Sequence, residues 1–156
     1  MSSILGVRAE PSSFHWAVVT GNQDQLILHA SGREDAPGSY REAESLAWIR
    51  VRVLYLLDTY RPAKVAVRYP EPTAVGASKN SAKARCRVEG VVMEAAGSKN
   101  LEVVTGAMNT FGKFAGSRSP KDDLSSGEFR QLDWSKHKDS KTREAIYVAA
   151  SLLPPG

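Results

Sequence analysis

The sequence predicts an α/β fold: a mixed five-stranded sheet in which an antiparallel meander continues into parallel strands, with elements in the order βββαβαβα. Three observations carry that expectation. Short β-branched and aromatic runs separated by turn residues fill the N-terminal region, a long helical period stops at Arg61-Pro62, and strand and helix patterns alternate after it.

The first run, 4–9, reads Ile-Leu-Gly-Val-Arg-Ala, an apolar strand that reaches an arginine at Arg8. Glu10-Pro11-Ser12-Ser13 is turn chemistry, and 14–20 resumes with aromatic and β-branched residues. Gly21-Asn22 breaks that run. A third strand follows over 25–31, and the short Gly-Asn-Gln-Asp connection makes it the antiparallel partner of the second. After a loop over 32–38 comes Ser39-Tyr-Arg-Glu42, a capping-box pattern in which serine and glutamate satisfy each other's orphan amides.

The helix that starts there runs to about Tyr60. Ala43, Leu46, Ala47, Val53, Leu54 and Leu57 recur at three- and four-residue spacing, and Trp48, Ile49 and Leu56 broaden the buried face. Arg50 falls on the same side, so either the packing is tilted or the arginine snorkels. Pro62 stops the helix. The next strand, 64–69, again carries apolar residues up to an arginine, Arg68; Pro70 and Pro72 end it, and 73–80 is a loop of small residues. A helix over 81–96 places Ala84, Val88, Val91, Val92 and Ala95 on one face, with Gly97 as its C-cap. The fifth strand is 101–105, and Gly112 weakens a short helix over 106–115. Residues 116–139 have no sustained period and read as a long irregular excursion. A closing helix, 140–153, sets Ala145, Val148, Ala149 and Leu152 on one face. Without an internal repeat or a low-complexity segment, 1–156 reads as a single domain.

Composition excludes several classes. The hydrophobic share is 42% and the charged share 24%, ordinary for a globular protein and against disorder. No apolar run approaches the roughly 18 residues that span a bilayer. Met1-Ser2-Ser3 lacks a signal-peptide pattern, and the lone Cys86 can form neither an internal disulfide nor a cysteine zinc site, so a cytoplasmic setting is expected. The net charge of +4 is concentrated: 61–100 holds eight basic residues (Arg61, Lys64, Arg68, Lys79, Lys83, Arg85, Arg87, Lys99) against Glu71, Glu89 and Glu94. Such a segment is either a solvated face or a patch for phosphates or an acidic protein.

Parallel strands in this order place the first and fourth side by side. Ligand chemistry in open α/β sheets gathers at the carboxyl ends of strands, which is where Arg8 and Arg68 fall. His15, His29 and His137 lack metal-ligand spacing, Cys86 reads as a small packing residue, and Gly112-Lys113 is not part of a phosphate-binding loop.

Read in order, Ile4-Leu-Gly-Val, Tyr60-Arg-Pro-Ala-Lys-Val-Ala-Val, Ser78-Lys-Asn-Ser-Ala-Lys-Ala with Glu89-Gly-Val-Val, and Glu144-Ala-Ile-Tyr-Val-Ala-Ala resemble the strands and helices of RuvC-type Holliday-junction resolvases, within the ribonuclease H-like superfamily. A small bacterial branch of that superfamily, described as a domain of unknown function, is similar in length and pattern. The resemblance implies a nuclease site with aspartate ending strand one, glutamate ending strand four and acidic residues at the closing helix, holding Mg or Mn. At the matching positions this chain has Arg8, Arg68 and Lys141, with only Glu144 acidic. Guanidinium groups repel a divalent ion, so no metal site and no cofactor are expected and the domain reads as catalytically degenerate.

Three arrangements remain open. Glu144 can pair with Arg8 or Arg68 in an ion network; the arginines can bind phosphate; or Glu10 and Glu71 can join Glu144 as the displaced carboxylates of a nuclease that depends on Mg or Mn. By this reading the domain is a nucleic-acid-binding or structural component, with DNA or RNA as the partner, contacted by Lys79, Lys83, Arg85 and Arg87 around the second helix and by Lys136, Lys138, Lys141 and Arg143 before the last. The alternative is a homodimer through helix 81–96, where Ala82, Ala84, Cys86 and Gly90 permit close approach, without nucleic-acid binding.

Overall fold

The computed structural model describes residues 2–69 and 79–156, with Lys79 in its backbone alone. The first three strands are β1 (Ile4–Glu10), β2 (Ser13–Gly21) and β3 (Leu26–Asp35), followed by α1 (Glu42–Tyr60) and β4 (Lys64–Arg68). Then come α2 (Lys79–Ser98), β5 (Glu102–Gly106), α3 (Met108–Phe114), α4 (Pro120–Ser125), the two-residue strands β6 (Glu128–Phe129) and β7 (Leu132–Asp133), and α5 (Ser140–Ser151). The main sheet has the order β3-β2-β1-β4-β5. β1 is antiparallel to β2 and β2 to β3, whereas β4 is parallel to β1 and β5 to β4. The mixed five-stranded α/β sheet read from the sequence is therefore the one observed.

Alternation along β1 divides the core. Leu5, Val7 and Ala9 join Val65, Val67, Ile49, Val53, Leu56, Val88 and Val92 in a layer under α1 and α2. Ile4 joins Ala66, Phe111, Ile146 and Val148 in a layer under α3 and α5. Gly6 lies on this second face. A Cβ built there would sit 2.0 Å from the Ala145 carbonyl oxygen, so only glycine lets α5 cross the strand this closely.

Several boundaries differ from the sequence expectation. β3 runs on to Asp35 instead of yielding to a loop at Gly32, because its partner β2 keeps pairing as far as Ser13. α1 starts at Glu42, and its N-cap is Arg41, whose amide donates to Glu44 Oε1 at 3.3 Å; Ser39 caps nothing. Its other end does stop before Pro62, with Arg61 in the left-handed region at φ 48° and its amide on Leu57 O. The buried face of α1 is Ser45, Ile49, Val53, Leu56 and Leu57, whereas Ala43 and Ala47 are exposed. Arg50 does not snorkel: it points outward and pairs with Glu94 of α2 at 2.5 Å. α2 continues through Gly97 to Ser98, and the left-handed residue that ends it is Asn100, φ 58°.

The largest difference is 116–139, which is not an irregular excursion. Pro120 begins α4 after Ser119, whose hydroxyl accepts from the Asp122 amide. Phe129 and Trp134 stack at 5.9 Å, and Trp134 is 1% exposed with its indole donating to Asp123 O at 2.8 Å. Short elements with a few buried aromatic anchors leave no period to read. α5 is buried on every side from Ala145 to Ser151, which is broader than the predicted face. Among the described residues no helix is long and apolar enough to cross a membrane. Pro70, Glu71, Pro72 and the start of the small-residue loop lie outside the described residues.

Candidate functional site: arginines and glutamates at the carboxyl ends of the central strands

Parallel pairing puts Arg8 and Arg68 opposite each other at the last shared register of β1 and β4. Both stand on the face that α5 crosses, in step with Ile4, Gly6 and Ala66. The Gly6 contact brings the N-terminal turn of α5, and with it Glu144, over the two strand ends. Glu144 Oε1 lies 2.8 Å from Arg68 Nε and Oε2 lies 3.5 Å from Arg8 Nε. Arg8 Nη1 also donates to the Ala9 carbonyl at 2.8 Å. The three side chains are only 12–15% exposed, so their attraction is weakly screened.

α2 adds a second pair at the same edge. Arg85 Nε donates to Glu89 Oε2 at 3.1 Å, one helical turn apart, and Glu89 is 2% exposed. Burial, and then repulsion from Arg8 and Arg68, pushes the Arg85 guanidinium down to about 10. Burial raises the Glu89 carboxyl, against the pull of Arg85, Arg68 and Arg8. The network is thus three guanidinium groups and two carboxylates. Arg85 Nη2 is buried without a hydrogen-bond partner among the described residues.

Glu10 belongs to a different cluster. Lys141 Nζ, His15 Nε2 at 3.0 Å and Ser13 Oγ at 3.0 Å all engage its carboxylate, and Arg33 Nη2 stands 3.6 Å away. Burial works to raise the Glu10 carboxyl, but the hydrogen bonds from Lys141, His15 and Ser13 outweigh it and bring it down to about 2. His15 is fully buried, with Nδ1 3.2 Å from Thr142 Oγ1 and 3.6 Å from Asp139 Oδ1. It ties the start of α5 to the sheet. The spacing that would have revealed these groups is present only for Arg85 and Glu89, an i,i+4 pair; the Glu10–Lys141 and His15–Thr142 links span the whole chain.

A divalent metal does not fit these residues. The positions that would supply carboxylates carry Arg8 and Arg68, and Glu144 is already bracketed by both. Lys141 is engaged with Glu10, which removes Glu10 from any displaced set, and Glu71 lies outside the described residues. Among the described residues no group of three or more His, Cys, Asp and Glu side chains is placed to hold a metal ion.

The residues expected to contact nucleic acid separate into three groups. Lys83, Lys136 and Lys138 are exposed. Arg87 is exposed but pairs with Glu42 at 3.0 Å, and Lys141 pairs with Glu10. Arg85 and Arg143 correct the expectation of surface contacts: Arg85 is turned inward onto Glu89, and the Arg143 guanidinium donates to His137 O, Leu124 O and Trp134 O at 2.5, 3.0 and 2.8 Å. The Lys79 side chain lies outside the described residues. Nor does 61–100 form one basic patch, because Lys64, Arg68 and Lys99 pair with Glu102, Glu144 and Asp58. His29 bonds Thr20 Oγ1 at 2.7 Å, and Cys86 is exposed where a packing role was expected.

Beside the network opens a cleft of about 640 Å³. Arg68 and Glu144 form one wall; Met108, Pro120 and Leu124 give it an apolar side, and Asn109, Lys121, Ser125 and Ser140 line the rest together with Arg143, whose guanidinium is held by the three carbonyls. The excursion thus supplies part of the site, which the sequence did not indicate.

No family model matches the chain, and no curated protein sequence matches it. Solved structures do. A structure of Thermus thermophilus RuvC aligns with TM-score 0.74 at 19% identity over 96% of this chain and 92% of that one. T. thermophilus RuvC in complex with a Holliday junction substrate aligns with TM-score 0.70 at 16% identity over 97% and 92%. The yeast mitochondrial Holliday junction resolvase Ydc2 aligns with TM-score 0.60 at 13% identity over 96% and 78%. With TM-scores of 0.70 and 0.74 and nearly full coverage of both T. thermophilus structures, the chain has the RuvC-like, ribonuclease H-like fold.

Proposed function

We propose that residues 1–156 form one RuvC-type domain that binds nucleic acid without cleaving it. The observation that carries this reading is Glu144 held between Arg8 and Arg68, where a metal-dependent nuclease of this fold needs carboxylates free to coordinate. The fold neighbour bound to a Holliday junction favours a branched DNA as the ligand. Support also comes from the cleft beside the network: Lys121, Asn109, Ser125 and Ser140 offer donors for phosphate and sugar, and exposed Lys136 and Lys138 precede α5. The lone, exposed Cys86 suits a reducing cytoplasm.

The test is twofold. Binding of a four-way junction and of duplex DNA is measured between 50 and 200 mM salt, and cleavage is assayed with Mn2+. Affinity that falls steeply with salt, with no cleaved product, supports the reading; salt-independent or absent retardation at micromolar protein overturns the binding, and metal-dependent nicking overturns the inactivity.

A second reading is self-association without nucleic acid. It is favoured by Ala82, Cys86 and Gly90, exposed at four-residue spacing on α2 and so able to admit a second helix. Sedimentation of the chain at tens of micromolar decides whether it is a monomer.

A further inference from the structure

Three guanidinium groups meet at the carboxyl edge of the sheet: Arg8 from β1, Arg68 from β4 and Arg85 from α2. Among the described residues they face two carboxylates, Glu144 and Glu89. The three arginine side chains are only 12–14% exposed, so the excess positive charge is not dispersed into solvent. Arg85 feels it: burial, and then repulsion from Arg8 and Arg68, hold its guanidinium below the ordinary arginine range.

Donors are left over as well. Arg85 engages Glu89 through Nε, while its buried Nη2 has no hydrogen-bond partner among the described residues. Arg8 donates Nη1 to the Ala9 carbonyl, but its buried Nε stands 3.5 Å from Glu144 and makes no hydrogen bond there. A buried N–H without an acceptor is costly, and more so on a charged group. What would complete the cluster is one negative charge rich in acceptors. A planar guanidinium fork matches an edge of a tetrahedral oxyanion, which makes arginine the preferred partner of phosphate. A phosphodiester carries a single negative charge, enough to balance three guanidinium groups against two carboxylates. A solute also has a route to the cluster, because Arg68 and Glu144 form a wall of the open cleft.

We propose that Arg8, Arg68 and Arg85 form an oxyanion site that takes a phosphoryl group, with Glu144 and Glu89 holding the arginines in place. The site does not rest on the domain's binding nucleic acid, because the same groups serve a free phosphate ion or the phosphodiester of a bound strand. The test uses the full chain and inorganic phosphate. For a dissociation constant of about 2 mM, phosphate at about 10 mM raises the thermal midpoint by about 2–4 °C, whereas sodium chloride of equal ionic strength does not. Arg85→Lys keeps a cation beside Glu89 but removes Nη2; it weakens phosphate binding about tenfold or more and shrinks the shift to below about 1 °C. Should that variant fold poorly, tungstate, a heavy tetrahedral oxyanion, soaked into crystals of the parent chain locates the site by its anomalous signal beside Arg8, Arg68 and Arg85. A second arm separates the two sources of phosphate. If phosphate displaces a four-way junction more strongly than chloride does at equal ionic strength, and Arg85→Lys also weakens junction binding, the site holds a strand's phosphodiester. If phosphate shifts the midpoint while junction binding is insensitive to both changes, or absent, the site holds the free ion. A shift no larger than that of chloride, an equal shift in Arg85→Lys, or tungstate only at other places overturns the proposal. Loss of junction binding with the phosphate shift intact overturns the nucleic-acid reading and supports this one.

Discussion

Arg8 and Arg68 are register partners at the ends of two parallel strands, and one carboxylate, Glu144, faces both guanidinium groups. Two cations at neighbouring strand ends repel each other, and the helix that crosses at Gly6 brings the counter-charge. Glu144→Gln leaves Arg8, Arg68 and Arg85 clustered with only Glu89 among them. Breaking a mostly buried pair in this way is expected to cost about 2–4 kcal/mol, read by urea unfolding. Replacing all three of Arg8, Arg68 and Glu144 by Met should cost less than Glu144→Gln alone, since no charge is then stranded. Equal losses would mean that the network contributes attraction beyond mutual neutralisation.

The close helix crossing is itself testable. Gly6→Ala forces a methyl group to within 2.0 Å of a backbone carbonyl unless α5 moves away. The expected loss is about 3 kcal/mol or more, together with a longer Arg8–Glu144 separation in a crystal structure of the variant. Unchanged stability would show that α5 can shift freely, and would remove the reason given for the position of Glu144.

Residues 116–139 are expected to be part of the folded core despite their lack of pattern. Trp134→Ala removes a 1% exposed indole that stacks on Phe129 and donates to Asp123 O, and should cost about 3–5 kcal/mol. An effect near zero would mean that the segment unfolds independently of the sheet.

What was legible in the sequence follows from the range of each signal. Strand runs such as Val65-Ala-Val and the stop at Pro62 are local, and they lead to the right sheet. Because two parallel strands end in arginine, the sequence alone places Arg8 and Arg68 together. The burial of Arg85 was not legible, since a helical arginine looks the same whether it faces water or the carboxylate one turn on. Nor was the capture of Lys141 by Glu10, residues that meet only after the chain has closed. The face of α1 was misread because Ala43 and Ala47, which are exposed, keep the same three- and four-residue spacing as its buried residues. The sheet itself needed none of these long-range facts.

The Glu10 cluster makes a pH prediction with a definite sign. Its folded-state value of about 2 lies below its ordinary value of 4.5, so its contribution is complete above about 4.5 and is lost as pH falls through about 2. With half-exposed Lys141 as a partner, the contribution is about 1–3 kcal/mol after allowing for screening. Glu89 runs the other way: its raised carboxyl holds a proton longer in the folded state, so stability falls as pH rises past 4.5. Urea unfolding between pH 2 and 7 should therefore show Glu10→Gln less stable at pH 7 and level with the parent near pH 2. A constant difference across that range would assign the loss to packing rather than charge.

Reversing the site chemistry tests the account of the arginines most directly. Arg8→Asp with Arg68→Glu leaves three carboxylates, counting Glu144, around strand ends that now hold two guanidinium groups. Without metal the facing anions repel, and the double variant should be less stable than the parent by a few kcal/mol. If the geometry of the strand ends suits a hard cation, Mn2+ at about one hundred times its dissociation constant should return about 3 kcal/mol, while the parent's unfolding midpoint stays unmoved by the same addition. Recovery in the double variant alone would show that the two arginines, and not the backbone around them, are what keeps metal away. If Mn2+ stabilised the parent equally, Arg8 and Arg68 would not be the obstacle, and the assignment of the domain as a non-cleaving one would lose its physical basis.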